Sequence, residues 1–129
     1  MHNTYFISRL ILSAIVIVAG VLKLTLPLGE SAFLGAGFEL IVSLVEIVLG
    51  LCLLIDCCPV ACAMAICGLA GSGVTLAWFA KQPCGCFGKV IVLSLREHSW
   101  LAVICAILSW VIVIVHSNIN RHIPPMDSV

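Results

Sequence analysis

The sequence predicts an all-α fold, an integral membrane four-helix bundle, on three observations. Of 129 residues, 63% are hydrophobic and only 9% are charged, whereas about a quarter of a soluble globular domain is charged. Four apolar stretches each approach the roughly 20 residues that a bilayer-spanning helix uses. The connections between them are short, so the chain reads as a single four-span domain over 1–129, with spans at about 7–28, 38–55, 59–79 and 95–118 and no separate soluble domain. The charge balance, 6 Lys+Arg against 6 Asp+Glu, excludes a strongly basic nucleic-acid binder, because no cationic excess remains to neutralise phosphates.

The first span, Ile7 to Leu28, is interrupted only by Arg9 near its start and Lys23 near its end. A cleaved signal peptide has a shorter apolar core and a small-residue cleavage site, so this stretch is expected to be a retained helix. Gly29, Glu30 and Ser31 mark a turn, and Phe38 to Ile55 forms the second span, with Glu39 at its mouth and Glu46 inside. Asp56, Cys57, Cys58 and Pro59 make the tightest connection. Asp56 suits a helix N-cap and Pro is tolerated in a first turn, so spans two and three read as an antiparallel hairpin.

The third span, Pro59 to Phe79, carries no charge, and Ala61, Ala65, Gly68 and Ser72 recur at three- and four-residue spacing. Such a stripe is expected to let helices approach closely in lipid. Lys81 to His98 is the only long hydrophilic connection. Ser94 and Glu97 have the spacing of a capping box, which starts the fourth helix there; it runs past Trp100 to about His116 or Asn118. The tail from Asn120, with Pro124 and Pro125, is short, and the chain has neither an internal repeat nor a low-complexity segment.

Four spans place both termini on one face, together with Cys57 and Cys58, and the loop around Cys84 on the other. Arg9 and Arg121 then stand against Lys81, Lys89 and Arg96. The positive-inside rule points the Cys84 loop toward the cytoplasm, but so small a bias leaves its side open.

Eight cysteines in so short a chain are the second compositional anomaly, and Cys84-Gly85-Cys86 is the most informative triplet. Two thiols one residue apart can close a small, strained disulfide, with Gly85 supplying the backbone freedom that closure needs. Strained, exposed disulfides are the labile ones, suited to exchange rather than to bracing a fold. Lys81 and Lys89 are near enough in sequence to favour the reactive thiolate. A static disulfide, a metal site and unpaired thiols are the competing readings. Zinc needs about four ligands, and His98 is the obvious nearby supplement, so no metal is expected.

Pro83-Cys84-Gly85-Cys86-Phe87-Gly88 carries a CGCFG signature that resembles the MauE family of methylamine-utilisation membrane proteins, within the broader DoxX-like group of four-helix membrane proteins. The resemblance covers most of the chain. Arg9, Gly20-x-x-Lys23-Leu24, and Glu46 with Gly50 are similar to recurrent positions of that group. It implies a membrane partner in thiol-disulfide exchange, or in maturation of a disulfide-rich redox protein of the methylamine dehydrogenase type, working beside a thioredoxin-like or other cysteine-containing protein. DoxX-like relatives include a subunit linked to thiosulfate oxidation with quinone, which makes quinone the candidate cofactor. The implied setting is a bacterial inner membrane. In this reading Cys84 and Cys86 are the exchanging pair, while Gly85, Phe87, Gly88, Arg9, Lys23 and Glu46 support it. Six further cysteines depart from the simplest version of the pattern.

Lys23 and Glu46 are costly, because a charge within the hydrocarbon must be paired, protonated or able to snorkel. Glu39 and Glu46 are seven residues apart on one helix face, with Glu46 roughly 10 Å further in. A polar cluster of Lys23, Glu39 and Glu46 facing the Cys84 loop is expected, either locking helices together or carrying protons that accompany thiol oxidation.

Cys57 and Cys58 form a candidate second thiol pair. A hydrocarbon layer about 30 Å thick separates them from Cys84, far beyond direct disulfide exchange, so electrons crossing between them need a quinone or a movable partner. Cys52, Cys62, Cys67 and Cys105 read as packing residues. His98 and His116 read as interfacial hydrogen-bonding groups, and Trp78, Trp100 and Trp110 as interface or packing residues. The alternative of a different class is a non-catalytic subunit or assembly factor that docks a larger membrane redox complex, its CGCFG loop held by a fixed disulfide.

Overall fold

A computed structural model of the chain describes residues 2–25, 36–80, 84–87 and 91–121. Four helices, α1 (His2–Thr25), α2 (Ala36–Leu54), α3 (Pro59–Ala80) and α4 (Leu95–Arg121), follow one another up and down, and two short strands, β1 (Cys84–Phe87) and β2 (Ile91–Leu93), lie between α3 and α4. The all-α four-helix bundle is therefore the architecture of the chain. Each helix contains a stretch long and apolar enough to cross a membrane, at Asn3–Thr25, Gly37–Leu54, Pro59–Phe79 and Arg96–Ile119. The turn around Gly29, Lys81, Pro83, Gly88, Lys89 and the tail from 122 lie outside the described residues.

The bundle encloses a largely apolar core and is apolar on its outside. Its core gathers Tyr5, Leu12, Val16, Leu53, Ala63, Ile66 and Ile112 with the cysteines Cys62 and Cys105. Large apolar side chains such as Ile41, Val48, Ile107 and Trp110 are more than half exposed. An exposed apolar surface this extensive is suited to lipid tails rather than to water. The chain is accordingly an integral membrane protein in its architecture.

Helix α1 packs chiefly on α2, and α3 on α4. The tight α1–α2 contact rests on two glycines. A Cβ built on Gly20 would stand 2.8 Å from the Ser43 carbonyl oxygen and 2.7 Å from Ile47 Cγ1, and one on Gly50 would stand 2.6 Å from Ile17 Cγ1. At the same crossing the Ser13 hydroxyl donates to the Gly50 carbonyl at 2.7 Å. The small residues of α3 do not serve this purpose: Gly68 has open space where a Cβ would be, and Ala61, Ala65 and Ser72 are exposed. Their stripe faces outward, because the sides of α3 that meet the bundle carry Cys62, Ala63 and Ile66 instead.

Three local features differ from the expectations. Helix α1 starts at His2 rather than near Ile7, because Tyr5 is drawn into the core with 5% of its surface exposed. Asp56 is not the N-cap of α3. The Cys57 N–H donates to the Cys52 carbonyl at 2.8 Å and the Asp56 N–H to the Leu53 carbonyl at 3.3 Å, and Asp56 has φ 64°. These are the two bonds and the left-handed residue of a Schellman C-terminus closing α2. Cys58 takes the N-cap position before Pro59, its carbonyl accepting the Cys62 N–H at 3.0 Å. Finally, the connection to α4, expected as a hydrophilic loop, contains paired strands: β1 and β2 pair antiparallel, Cys84 with Leu93 and Phe87 with Ile91, with an irregular register between Cys84 and Phe87. The capping box does form, the Ser94 N–H donating to Glu97 Oε2 at 2.8 Å and the Glu97 N–H to Ser94 Oγ at 3.4 Å.

Candidate functional site

Antiparallel succession brings the C-terminal end of α1, the start of α2, the end of α3 and the start of α4 to one end of the bundle. There β1 packs against α1, α3 and α4. Cys84 and Cys86 thus occupy positions i and i+2 of a short strand set across the bundle end. In an extended strand such positions are about 6.6 Å apart between Cα atoms, at the upper limit of roughly 4.4–6.8 Å that a disulfide spans. A disulfide between them would shorten the strand, and Gly85, within the irregular register, is where the backbone can give.

Just inside this end stands the ion pair of α1 with α2. Lys23 Nζ donates to Glu46 Oε1 at 2.6 Å, with the two side chains 14% and 15% exposed. Glu46 Oε2 is buried without a hydrogen-bond partner among the described residues. Glu39 is half-buried and within electrostatic range of Lys23. The three residues anticipated as a polar cluster are therefore brought together, with Glu46 the direct partner of Lys23.

A cavity of about 190 Å³ opens beside the pair, walled by all four helices. Ile15, Ile66, Leu69 and Leu101 give it apolar sides, while Lys23, Glu46 and His98 give it a polar end. His98 is buried, with 3% of its surface exposed, and its Nε2 would stand 3.3 Å from a Cβ on Gly73. His98 is thus an inward residue of the bundle rather than an interfacial one.

The opposite end of the bundle carries a second polar group. Arg9 pairs with Asp56, the Tyr5 hydroxyl donates to Asp56 Oδ1 at 2.6 Å, and the Arg9 guanidinium lies 5.4 Å from the centre of the Tyr5 ring. Tyr5 and Arg9 share a helix face at i and i+4, and Asp56 reaches them because the Schellman turn carries its side chain back over α1. The Tyr5 ring stands 6.2 Å from that of His116. Arg9 belongs to this end, so it does not support Cys84 and Cys86 directly. Tyr5 and Asp56 are the residues that sequence reasoning missed.

The Tyr5 hydroxyl and then the Arg9 guanidinium hold the Asp56 carboxyl below the ordinary range of 3.8. A depressed carboxylate contributes stability that is present above its unfolded value and lost as pH falls through the folded one. Because the Asp56 side chain is half exposed, solvent screening limits the effect. Asp56→Asn, which keeps a residue tolerant of the left-handed turn, should lower unfolding stability in detergent by about 1 kcal/mol at neutral pH. The difference between the variant and the parent should shrink as pH falls below the ordinary carboxylate value of 3.8 and vanish once the depressed Asp56 carboxyl is itself protonated. An equal deficit at acid and neutral pH would show that the charge is not the cause.

No protein-family model, curated protein or solved structure matches the chain. Among the described residues no group of three or more His, Cys, Asp or Glu side chains is placed to hold a metal ion.

Proposed function

We propose that this chain is a MauE-like, DoxX-like protein of the bacterial inner membrane that exchanges thiols and disulfides, or matures a disulfide-rich redox protein, through Cys84 and Cys86. The observation that carries the reading is the placement of the Cys84–Phe87 strand against α1, α3 and α4, at the end of the bundle toward which the Lys23–Glu46 pair lies. A thiolate of either cysteine attacks, or is attacked by, a cysteine of a thioredoxin-like partner, and the other thiol resolves the mixed disulfide. The protons released by thiol oxidation have an acceptor of suitable chemistry in Glu46, whose second oxygen makes no hydrogen bond among the described residues.

The resemblance also implies a quinone, which supplies a two-electron acceptor when bound. The cavity residues fit such a group: apolar walls suit a lipid-soluble ring, and Lys23, Glu46 and His98 offer polar contacts at one end.

In intact cells, a membrane-impermeant maleimide applied before and after mild reduction should label Cys84 and Cys86 only after reduction in some growth conditions and directly in others. Cys84→Ser and Cys86→Ser together should abolish maturation of the partner protein while the chain still accumulates in the membrane. A loop that remains oxidised in every condition, with a functional double variant, would overturn the proposal and leave a docking subunit with a fixed disulfide.

A further inference from the structure

The turn between α2 and α3 gathers four thiols that the CGCFG strand does not involve. Cys57 and Cys58 are exposed at the turn itself, Cys62 is buried one turn into α3, and Cys52 packs against the core in the last turn of α2. The Cys62 thiol donates to the Cys57 carbonyl at 3.4 Å, and the Cys57 N–H donates in turn to the Cys52 carbonyl at 2.8 Å, so Cys52 and Cys62 flank the same residue. Cys57 and Cys58 are adjacent in the chain and both exposed. The four cysteines therefore gather at one turn, Cys57 and Cys58 open to the outside and Cys52 and Cys62 on the inner side. The Schellman turn produces this arrangement: its bond from the Cys57 N–H to the Cys52 carbonyl folds the chain back, so that the end of α2 meets the first turn of α3.

We propose that Cys52, Cys57, Cys58 and Cys62 form a second dithiol centre, in which the exposed pair exchanges with an external protein or low-molecular-weight disulfide and the inner pair stores the oxidised state as a Cys52–Cys62 disulfide between α2 and α3. A thiolate of the exposed pair attacks the external disulfide, whose sulfur–sulfur bond breaks. One external thiolate leaves and takes up a proton, and a mixed disulfide remains on the turn. Cys62 attacks the turn sulfur of that bond and releases the second external thiol. Cys52 then attacks Cys62, closing Cys52–Cys62 and returning the turn cysteine to its thiol. In sum, two electrons and two protons pass from Cys52 and Cys62 to the external disulfide, which is reduced to two thiols.

The position of the inner pair matters for function as well as for storage. Exposed vicinal thiols exchange readily but are poorly shaped to hold a disulfide. With Cys62 buried and Cys52 half-buried, a bond between them is better shielded from external thiols and can persist. The centre is at the opposite end of the bundle from Cys84 and Cys86, so its chemistry stands or falls independently of theirs.

The test uses the full-length chain in lipid nanodiscs with Cys84→Ser and Cys86→Ser installed, so that the strand cysteines cannot report. The protein is equilibrated with glutathione at graded ratios of reduced to oxidised form, quenched with a maleimide, digested and mapped by mass spectrometry. Increasing oxidation should produce a Cys52–Cys62 disulfide while Cys57 and Cys58 remain open to alkylation. Adding Cys62→Ser should stop the exchange at glutathione adducts on Cys57 or Cys58, and adding Cys52→Ser should trap Cys62 joined to a turn cysteine. Alkylation of all four thiols at every ratio, or a disulfide confined to Cys57 and Cys58, would overturn the proposal. Because Cys52→Ser and Cys62→Ser each predict a different trapped species, an unfolded variant that yields random pairings is distinguished from a folded one.

Discussion

Glu46→Gln, with Lys23 left in place, should destabilise the bundle by about 3–5 kcal/mol, because it strands a buried ammonium without its counter-ion. The pair is held at 2.6 Å with both side chains largely buried, and Glu39, though within electrostatic range of Lys23, makes no ion pair with it among the described residues. The matching prediction is that Lys23→Met combined with Glu46→Leu recovers most of that loss, since an apolar pair of similar volume has no charge to desolvate. Thermal unfolding of the detergent-solubilised chain and its accumulation in membranes measure both. If the interaction serves only to lock α1 to α2, the double variant should also recover function. If Glu46 takes up protons during thiol oxidation, stability should return while exchange stays slow. Full activity and full accumulation of Glu46→Gln alone would remove both roles.

Gly20→Val and Gly50→Val should each be at least as damaging as an ordinary overpacked core change, which costs about 1–3 kcal/mol. At Gly20 the obstruction is the Ser43 carbonyl, part of the α2 backbone, 2.8 Å from where even an alanine Cβ would sit. Helices must then separate rather than a side chain turn aside, and the Ser13 bond to the Gly50 carbonyl must lengthen as well. Gly68→Val and Gly71→Val are the internal controls, because open space surrounds both positions. They should leave unfolding temperature and membrane accumulation nearly unchanged. The reverse result, sensitivity at Gly68 and tolerance at Gly20, would place the close crossing on α3.

The four spans were legible because bilayer thickness imposes a length that composition reveals directly, and Lys23 and Glu46 were legible because a charge in hydrocarbon demands a reason. What the sequence concealed was long-range geometry. Asp56 before Cys57-Cys58-Pro59 looks like a cap for the following helix, yet its left-handed conformation ends the preceding one, and its partners Tyr5 and Arg9 lie on α1. The outward stripe of α3 and the inward glycines of α1 and α2 have the same residue types, and only the packing of the other helices distinguishes them. The hairpin did leave a signal. In the sequence, Val90, Ile91 and Val92 form a β-branched run, followed by Leu93, beyond Gly88, and such a run after Cys84–Phe87 is a strand-turn-strand pattern inside a connection otherwise read by its hydrophilic ends.

Arg9 and Lys23 are fourteen residues apart, close to four helical turns, so they project from one side of α1 at levels about 21 Å apart. One is bound to the turn that closes α2 and the other to Glu46 within α2. Helix α1 is thereby pinned at two heights, and a slip of a single turn, about 5.4 Å, would break both pins at once. Membranes of different thickness can tilt or stretch a helix whose only constraint is greasy contact. Here any such adjustment has to move α1 and α2 as one body.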